Sequence, residues 1–466
     1  MSEDVAFSVG SIAAIDKADA ELEGYFDQVF GGIGGRAHDF LPLVKLLVAN
    51  KLGPSLSVHR LPSSLPTEFF QMLGFPEPPP ERNIYRAIER IGAAFALVLD
   101  RHQKVLRDHG LVDPQQCLDF SSTYFEGKAE GVGEFGYSRD QQSGKRQIVF
   151  GVSTGINGIP TALTIQRGNV VDKTHFPFLL RTVQAVLEPN SLLIFDCGAN
   201  TRANKAKIRR MGFHYLTLRP KKRGPYRDAI RIFSLVPRTL VVAKEREYEC
   251  ARVEDAETGE VSYIFFSEQL KQEQLTIKAS KYRRTVRENE PLLRRTLKGK
   301  PLGEYPCRAG TIIAKGSLQW SLEDEYDPSV SGLEGYFVLE SSVRAPPSEI
   351  LRLYKDRDQA EKLIRDLKEG MDLRPLRHWT KKAVMGYVLV VFLANFVLRL
   401  TVHRAENAVV RNGKLLKNYL QSLTVAVVYP DQGFRFRVLA NVGAEIRSIF
   451  GPFIDRYRDK SLALRW

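Results

Sequence analysis

The run QCLDFSSTYF (116–125), RQIVFGVST (146–154), IPTALTIQRG (159–168), KTHFPFLLRTVQAVL (173–187), SLLIFDCG (191–198), TRANKAKIRRMG (201–212) and FHYLTLRP (213–220) decides the fold. Short segments rich in β-branched and aromatic residues mark strands. Apolar residues three and four apart mark helices. Read in order, the elements are β-β-β-α-β-α-β, which predicts an α/β layer fold on a mixed sheet. Two acids interrupt the apolar pattern, Asp119 in the first strand and Asp196 at the end of the fourth. An ionised carboxylate in an apolar strand is costly unless it is paired or binds a cation. At a strand's C-terminal end it faces the crevice where α/β sheets place ligands.

Outward from this core the texture changes twice. Residues 1–112 read as a helical N-terminal region, from FLPLVKLLVANKLG (40–53) and NIYRAIERIGAAFALVLDRHQKVLRDHG (83–110), with a Pro-rich stretch between them. GGIGGR (31–36) lacks the Lys-Ser/Thr ending of a phosphate loop and is read as a helix break. The core is assigned to 113–219, a β-rich insertion to 220–345 and the rest of the core to 346–405. A tail at 406–466 mixes helix and strand signals. The core resumes with PSEILRLYKDRDQAEKLIRDLKEG (347–370), predicted as one long helix with Ser348 as a possible N-cap. AVMGYVLVVFLANFVLRLTV (383–402) is long enough to span a bilayer. It contains Gly386, Asn395 and Arg399 and is read as a buried core helix, with a membrane span as the alternative.

The chain has 466 residues and a formal charge of +14, from 68 Lys and Arg against 54 Asp and Glu. Its 43% hydrophobic and 26% charged content excludes a largely disordered chain and a polytopic membrane protein. The charge fits a polyanionic partner, either nucleic acid or an anionic membrane. Cys117, Cys197, Cys250 and Cys307 are too far apart for a zinc motif and fit a reducing compartment. The acidic N-terminus shows no signal peptide, so a cytoplasmic location is expected.

On the long helix, Tyr354, Arg357, Glu361 and Lys368 are three, four and seven residues apart, which keeps them on one face, with Arg365 beside them. A salt-bridged solvent face is the plain alternative. Together with the strand acids the stripe fits one mechanism. Asp119, Asp196 and Glu361 are the predicted metal ligands and catalytic residues. Three carboxylates can hold two Mg²⁺ ions, which activate a water or a 3′-hydroxyl for in-line phosphoryl transfer. The neighbouring Arg and Lys would grip a DNA backbone.

These residues resemble the DDE triad of insertion-sequence transposases. Tyr354-x2-Arg357-x3-Glu361-x6-Lys368 matches the Tyr-Arg-Glu-Lys signature of the cut-and-paste branch. The runs Asp196–Asn204 and Arg374–Trp379 are also similar to that branch. The resemblance implies an RNase H-like core carrying a β-rich insertion. It implies Mg²⁺, with Mn²⁺ able to substitute, and double-stranded DNA as substrate. Terminal inverted repeats would be bound and paired by a homodimer, cleaved, and their 3′ ends joined to target DNA. Tyr354, Arg357, Arg365 and Lys368 would contact the transposon end. In this branch the second Asp is often followed by Arg-Gly-Tyr; here Cys197-Gly198-Ala199 leaves no counterpart for that arginine. Some relatives form a DNA hairpin with a flipped base, and extruding a base needs a stacking platform. Trp320 is a candidate platform, against the plainer reading of a strand-core aromatic, and Trp379 is a weaker candidate.

Residues 201–240 hold twelve Lys and Arg against one acid, Asp228, which is most of the chain's excess charge. Arg202, Lys205, Lys221, Lys222 and Arg223 are the expected phosphate contacts there. The helical N-terminal region would read the repeat, by analogy with relatives. Three other readings stay open at this stage: a DNA-binding relative that no longer transposes, an RNase H-like nuclease without strand transfer and, last, a membrane-attached basic protein.

Overall fold

A computed structural model describes the chain apart from residues 1–3, 36–38, 128–130, 244, 298–302, 308–309, 316–318, 322–330, 405–412, 432–433 and 460–466. The chain divides into two compact units, Met1–Phe213 with Asp356–Trp466, and His214–Lys355.

The first unit opens with β1 (Val5–Ser8). Seven helices follow: α1 (Gly10–Glu21), α2 (Tyr25–Phe30), α3 (Phe40–Leu52), α4 (Leu61–Ser64), α5 (Thr67–Met72), α6 (Glu81–Ala93) and α7 (Phe95–Asp108). The core strands are β2 (Gln115–Tyr124), β3 (Gln147–Gly155) and β4 (Pro160–Arg167). After them come α8 (Asp172–Gln184), β5 (Leu192–Phe195) and α9 (Arg202–Arg210). Within this unit the sheet runs β4-β3-β2-β5, with β2, β3 and β4 antiparallel and β5 parallel to β2. Numbered from the first core strand, that is the 3-2-1-4 order of an RNase H-like sheet. All nine residues of β3 are buried, as expected of a strand covered on both faces.

The second unit starts with β6 (His214–Leu218), α10 (Arg223–Leu235), β7 (Arg238–Ala243), β8 (Arg246–Glu254), β9 (Val261–Phe266) and α11 (Glu268–Leu297). A small sheet of β10 (Gly303–Cys307), β11 (Gly310–Lys315) and β12 (Gln319–Ser321) follows, then β13 (Tyr336–Ser341) and α12 (Pro347–Asp356). The main sheet of this unit runs β6-β13-β9-β8-β7, every pair antiparallel. The hairpin turn expected near Gly259 joins β8 to β9. Helix α10 was not expected from the sequence. Its Tyr226, Ala229 and Phe233 recur at three- and four-residue spacing and pack on Ile264 and Val338.

Back in the first unit come α13 (Asp358–Arg365), a π turn at Asp366–Gly370, and α14 (Lys381–His403). The predicted continuous helix is thus two helices and a π turn. It begins at Pro347, so Ser348 is not its N-cap. The chain ends in α15 (Gly413–Ser422), β14 (Thr424–Asp431), β15 (Phe434–Ala440), α16 (Ala444–Phe450) and a 3₁₀ stretch, Gly451–Tyr457. β14 pairs with both β15 and β1, so the two ends of the chain share a sheet. Leu416, Leu420 and Val425 of the tail join Ile12 and Val44 of the N-terminal helices in one hydrophobic core.

Helix α14 lies at the centre of that core, with 83% of its most apolar window buried. A glycine pair sets its crossing with α6. A Cβ on Gly92 would come within 1.8 Å of the Lys382 carbonyl oxygen, and one on Gly386 within 1.9 Å of the Ile88 carbonyl oxygen. The two backbones can approach this closely only because both positions lack a side chain. Arg399, the charge inside the apolar run, is neutralised by Asp366 of the π turn.

Candidate active site

The sheet brings the two strand acids together. Leu118 of β2 pairs in parallel register with Phe195 of β5, so Asp119 and Asp196 are the next residues along each chain. β5 stops at Phe195, whereas β2 continues to Tyr124. The chain turns away after Asp196 through a 3₁₀ turn, Cys197–Ala199. A cavity of about 180 Å³ opens there, lined by Asp119, Phe120, Arg139, Asp172, Asp196, Gly198 and Ala199.

Burial pushes the Asp119 carboxyl up to about 6. Arg357, the Phe120 N–H and Arg139 pull it back down, and Asp196 pushes it up. The Phe120 N–H donates to Asp119 Oδ1 at 2.9 Å. Desolvated oxygen acids on one polar cavity are a donor set suited to a hard divalent cation such as Mg²⁺. Asp119 and Asp196 fit that role. Among the described residues no three His, Cys, Asp or Glu side chains are grouped closely enough to hold a metal. The expected cluster of three acids is therefore not closed, and the reason lies in the helix.

Arg357 sits at the break between α12 and α13. The Asp356 carbonyl just before it accepts a hydrogen bond from the buried Cys117 thiol of β2 at 3.4 Å. The Arg357 guanidinium then spans two acids. Nη1 lies 3.9 Å from Asp119 Oδ2, and Nη2 donates to Glu361 Oε1. Arg357 is mostly buried, whereas Glu361 is 51% exposed. A cation of this chain thus links the first and third acids of the proposed triad.

The rest of the stripe separates. Arg365 is exposed at the end of α13. Lys368, expected on the DNA face, points inward instead. It lies in the π turn, which rotates it off the stripe, and is only 7% exposed. Its Nζ donates to Asp140 Oδ1 at 2.8 Å, and Arg374 Nη1 donates to the same oxygen at 2.8 Å. Tyr354 is half-buried in α12. Among the basic residues, Arg202 is exposed and Lys205 half-buried on α9, and Lys221 and Lys222 are exposed ahead of α10. Arg223 begins α10 and Trp320 lies in β12, but the side chains of both fall outside the described residues. Trp379 is 55% exposed.

Two residues of the cavity carried no recognised signal. Arg139 lies in the loop between β2 and β3, and its polar surroundings, YSRDQQSGK (137–145), read as an ordinary connection. Asp172 opens α8 and reads as a helix-start acid. The two form an ion pair. A Cβ on Gly198 would stand 2.6 Å from Asp172 Oδ2, so the Gly in the turn after Asp196 makes room for that carboxylate.

Residues 113–396 match the family model described as a transposase DDE domain. No curated protein matches the chain. Solved structures similar to it include a cryo-EM structure of the piggyBac transposase synaptic complex with hairpin DNA. The identity there is 8%, covering 82% of this chain and 70% of that one, with a TM-score of 0.40. The family model spans more than half of the 466 residues, and the chain belongs to the DDE transposase family.

Proposed function

We propose that this transposase binds the terminal inverted repeats of an insertion sequence, cleaves the DNA ends and joins the freed 3′ ends to target DNA. The observation that carries the reading is the pair Asp119 and Asp196, side by side on one small polar cavity, with Arg357 linking Asp119 to Glu361. DDE transposases use divalent metal ions. Here Asp119 and Asp196 would hold the metal, and Glu361 would complete the set once released by Arg357. Bound there, two Mg²⁺ ions, or Mn²⁺ in their place, supply an activated oxygen nucleophile and stabilise the leaving oxygen of an in-line displacement.

The chain's own residues do the rest. Arg357, freed from Glu361, keeps its planar fork for a DNA phosphate. Arg365, Arg202, Lys205, Lys221 and Lys222 provide further backbone contacts. Synapsis of two ends calls for a homodimer on DNA, acting at the nucleoid in the cytoplasm. Lys368, turned inward onto Asp140, is not among the DNA contacts of this reading.

The test pairs binding with cleavage. Asp119→Ala, Asp196→Ala and Glu361→Ala each abolish Mg²⁺-dependent cleavage of a terminal-repeat duplex, at least ~10³-fold, while gel-shift affinity is kept. Cleavage surviving in any of the three overturns the assignment. Cleavage by the unaltered protein without joining of pre-cleaved ends to a target plasmid selects a nuclease without strand transfer.

A further inference from the structure

The cavity beside Asp119 and Asp196 holds one cation among its lining residues, Arg139. The surrounding structure positions it from several sides. Its backbone N–H donates to Ser122 Oγ of β2 at 3.2 Å. Its Nη2 donates to Asp172 Oδ1, at the start of α8. The next residue, Asp140, is 3% exposed and is clasped by both Lys368 and Arg374. The Arg139-Asp140 dipeptide therefore hangs between the cavity and the end of the catalytic helix. A side chain held this firmly loses little freedom when it binds a ligand.

Its hydrogen bonding is incomplete. Nη1 of Arg139 is buried and has no hydrogen-bond partner among the described residues. A buried guanidinium N–H without an acceptor calls for an explanation, because leaving it unmade costs free energy. The Arg139 side chain is nevertheless 28% exposed and lines the cavity. Guanidinium groups match tetrahedral oxyanions through two parallel N–H bonds. In an in-line displacement negative charge develops on the non-bridging phosphate oxygens, which the strand acids cannot stabilise.

We propose that Arg139 is a further catalytic residue that binds a non-bridging oxygen of the scissile phosphate, with Asp172 as its positioning residue. The inference rests on the phosphoryl-transfer reading of the cavity. It is distinct from Arg357, which sits on the helix side and bridges Asp119 to Glu361. Gly198 leaves the room that the Asp172 carboxylate occupies beside it.

The test compares two substrates, a terminal-repeat duplex with a normal scissile phosphate and the same duplex with a neutral methylphosphonate at that position. On the normal duplex, Arg139→Ala lowers the single-turnover cleavage rate on the order of 10²-fold or more, with gel-shift affinity unchanged within about threefold. Asp172→Asn gives a smaller loss of the same kind. On the methylphosphonate duplex, where the charged oxygen is gone, the penalty of both variants shrinks to within about threefold of the unaltered protein. A penalty equal on the two substrates means a merely structural role and overturns the proposal. If Arg139→Ala does not fold, Arg139→Lys carries the same comparison, because it keeps the charge and loses only the fork. Cleavage by the unaltered protein alongside an unimpaired Arg139→Ala overturns this inference alone. No Mg²⁺-dependent cleavage by the unaltered protein overturns the underlying reading and this inference with it.

Discussion

The two strand carboxylates and the helix carboxylate are held in opposite ways. Asp119 lies within the β2 ladder, and Asp196 is the first residue beyond β5, each directly after a buried ladder residue, Leu118 and Phe195. Glu361 projects from a short helix, is half exposed, and is held by an arginine four residues before it. A strand residue is fixed by the whole sheet and cannot shift without breaking ladder bonds. A residue on one helical turn moves with its rotamer and its ion pair. On the proposed function, the strand side is the preorganised half of the site, and the helix side is the half that a bound metal or DNA would complete.

Metal binding without DNA breaks or sharpens this contrast most. Mn²⁺ titrated by paramagnetic resonance loses affinity on the order of 100-fold or more in Asp119→Ala and Asp196→Ala. In Glu361→Ala it loses less than ~10-fold. Equal losses in all three would mean that the helix acid is already as well placed as the strand acids.

The second largest effect concerns the anchor behind the helix. Asp140 is the shared acceptor of Lys368 and Arg374. Asp140→Ala leaves the buried Lys368 without its acid, while Arg374 keeps Glu369, and destabilises the protein by about 3–5 kcal/mol in urea unfolding. A change below ~1 kcal/mol would show that Lys368 is free to reach DNA after all.

The smallest effect separates the two kinds of acid by pH, measured in EDTA. Burial raises the folded-state pKa of Asp119 to about 6, above the usual 3.8 of an aspartate. A group raised in the folded state contributes stability below its unfolded pKa and loses it as pH rises through the folded value. At pH 7.5 the ionised Asp119 is therefore a cost. Asp119→Asn raises unfolding stability there by about 1–3 kcal/mol, and the gain disappears below pH 4. Glu361→Gln, half exposed, changes stability by less than about 0.5 kcal/mol at either pH. A Glu361→Gln gain matching that of Asp119→Asn would remove the distinction.

Much of the fold was legible because the core strands and helices carry their own periodicity. The strand run from Gln116 to Leu218 was read in the observed order, since each element is short, apolar and bounded by turn residues. The strand acids stood out for the same reason, as charges within apolar segments. Helix α10 was missed because its apolar positions are interspersed with Arg227, Asp228 and Arg231, and the β-rich surroundings dominated the reading. The tail was unreadable because β14 gains meaning only by pairing with β1, more than 400 residues earlier.

The sequence alone singled out the candidate groups: two acids in apolar strands, an acid and its cations at helical spacing, and a basic block after the second acid. These are properties of local spacing and of the cost of placing charge in apolar surroundings. Only the tertiary structure decided which of those groups meet. It turned Lys368 inward through a π turn to Asp140, and set Arg357 between Asp119 and Glu361. It also brought Arg139 and Asp172, which have no local signature, into the same cavity as the strand acids. Salt bridges and cavities depend on distances between segments far apart in the chain. Those distances are set by sheet register and helix crossing, which local periodicity does not encode.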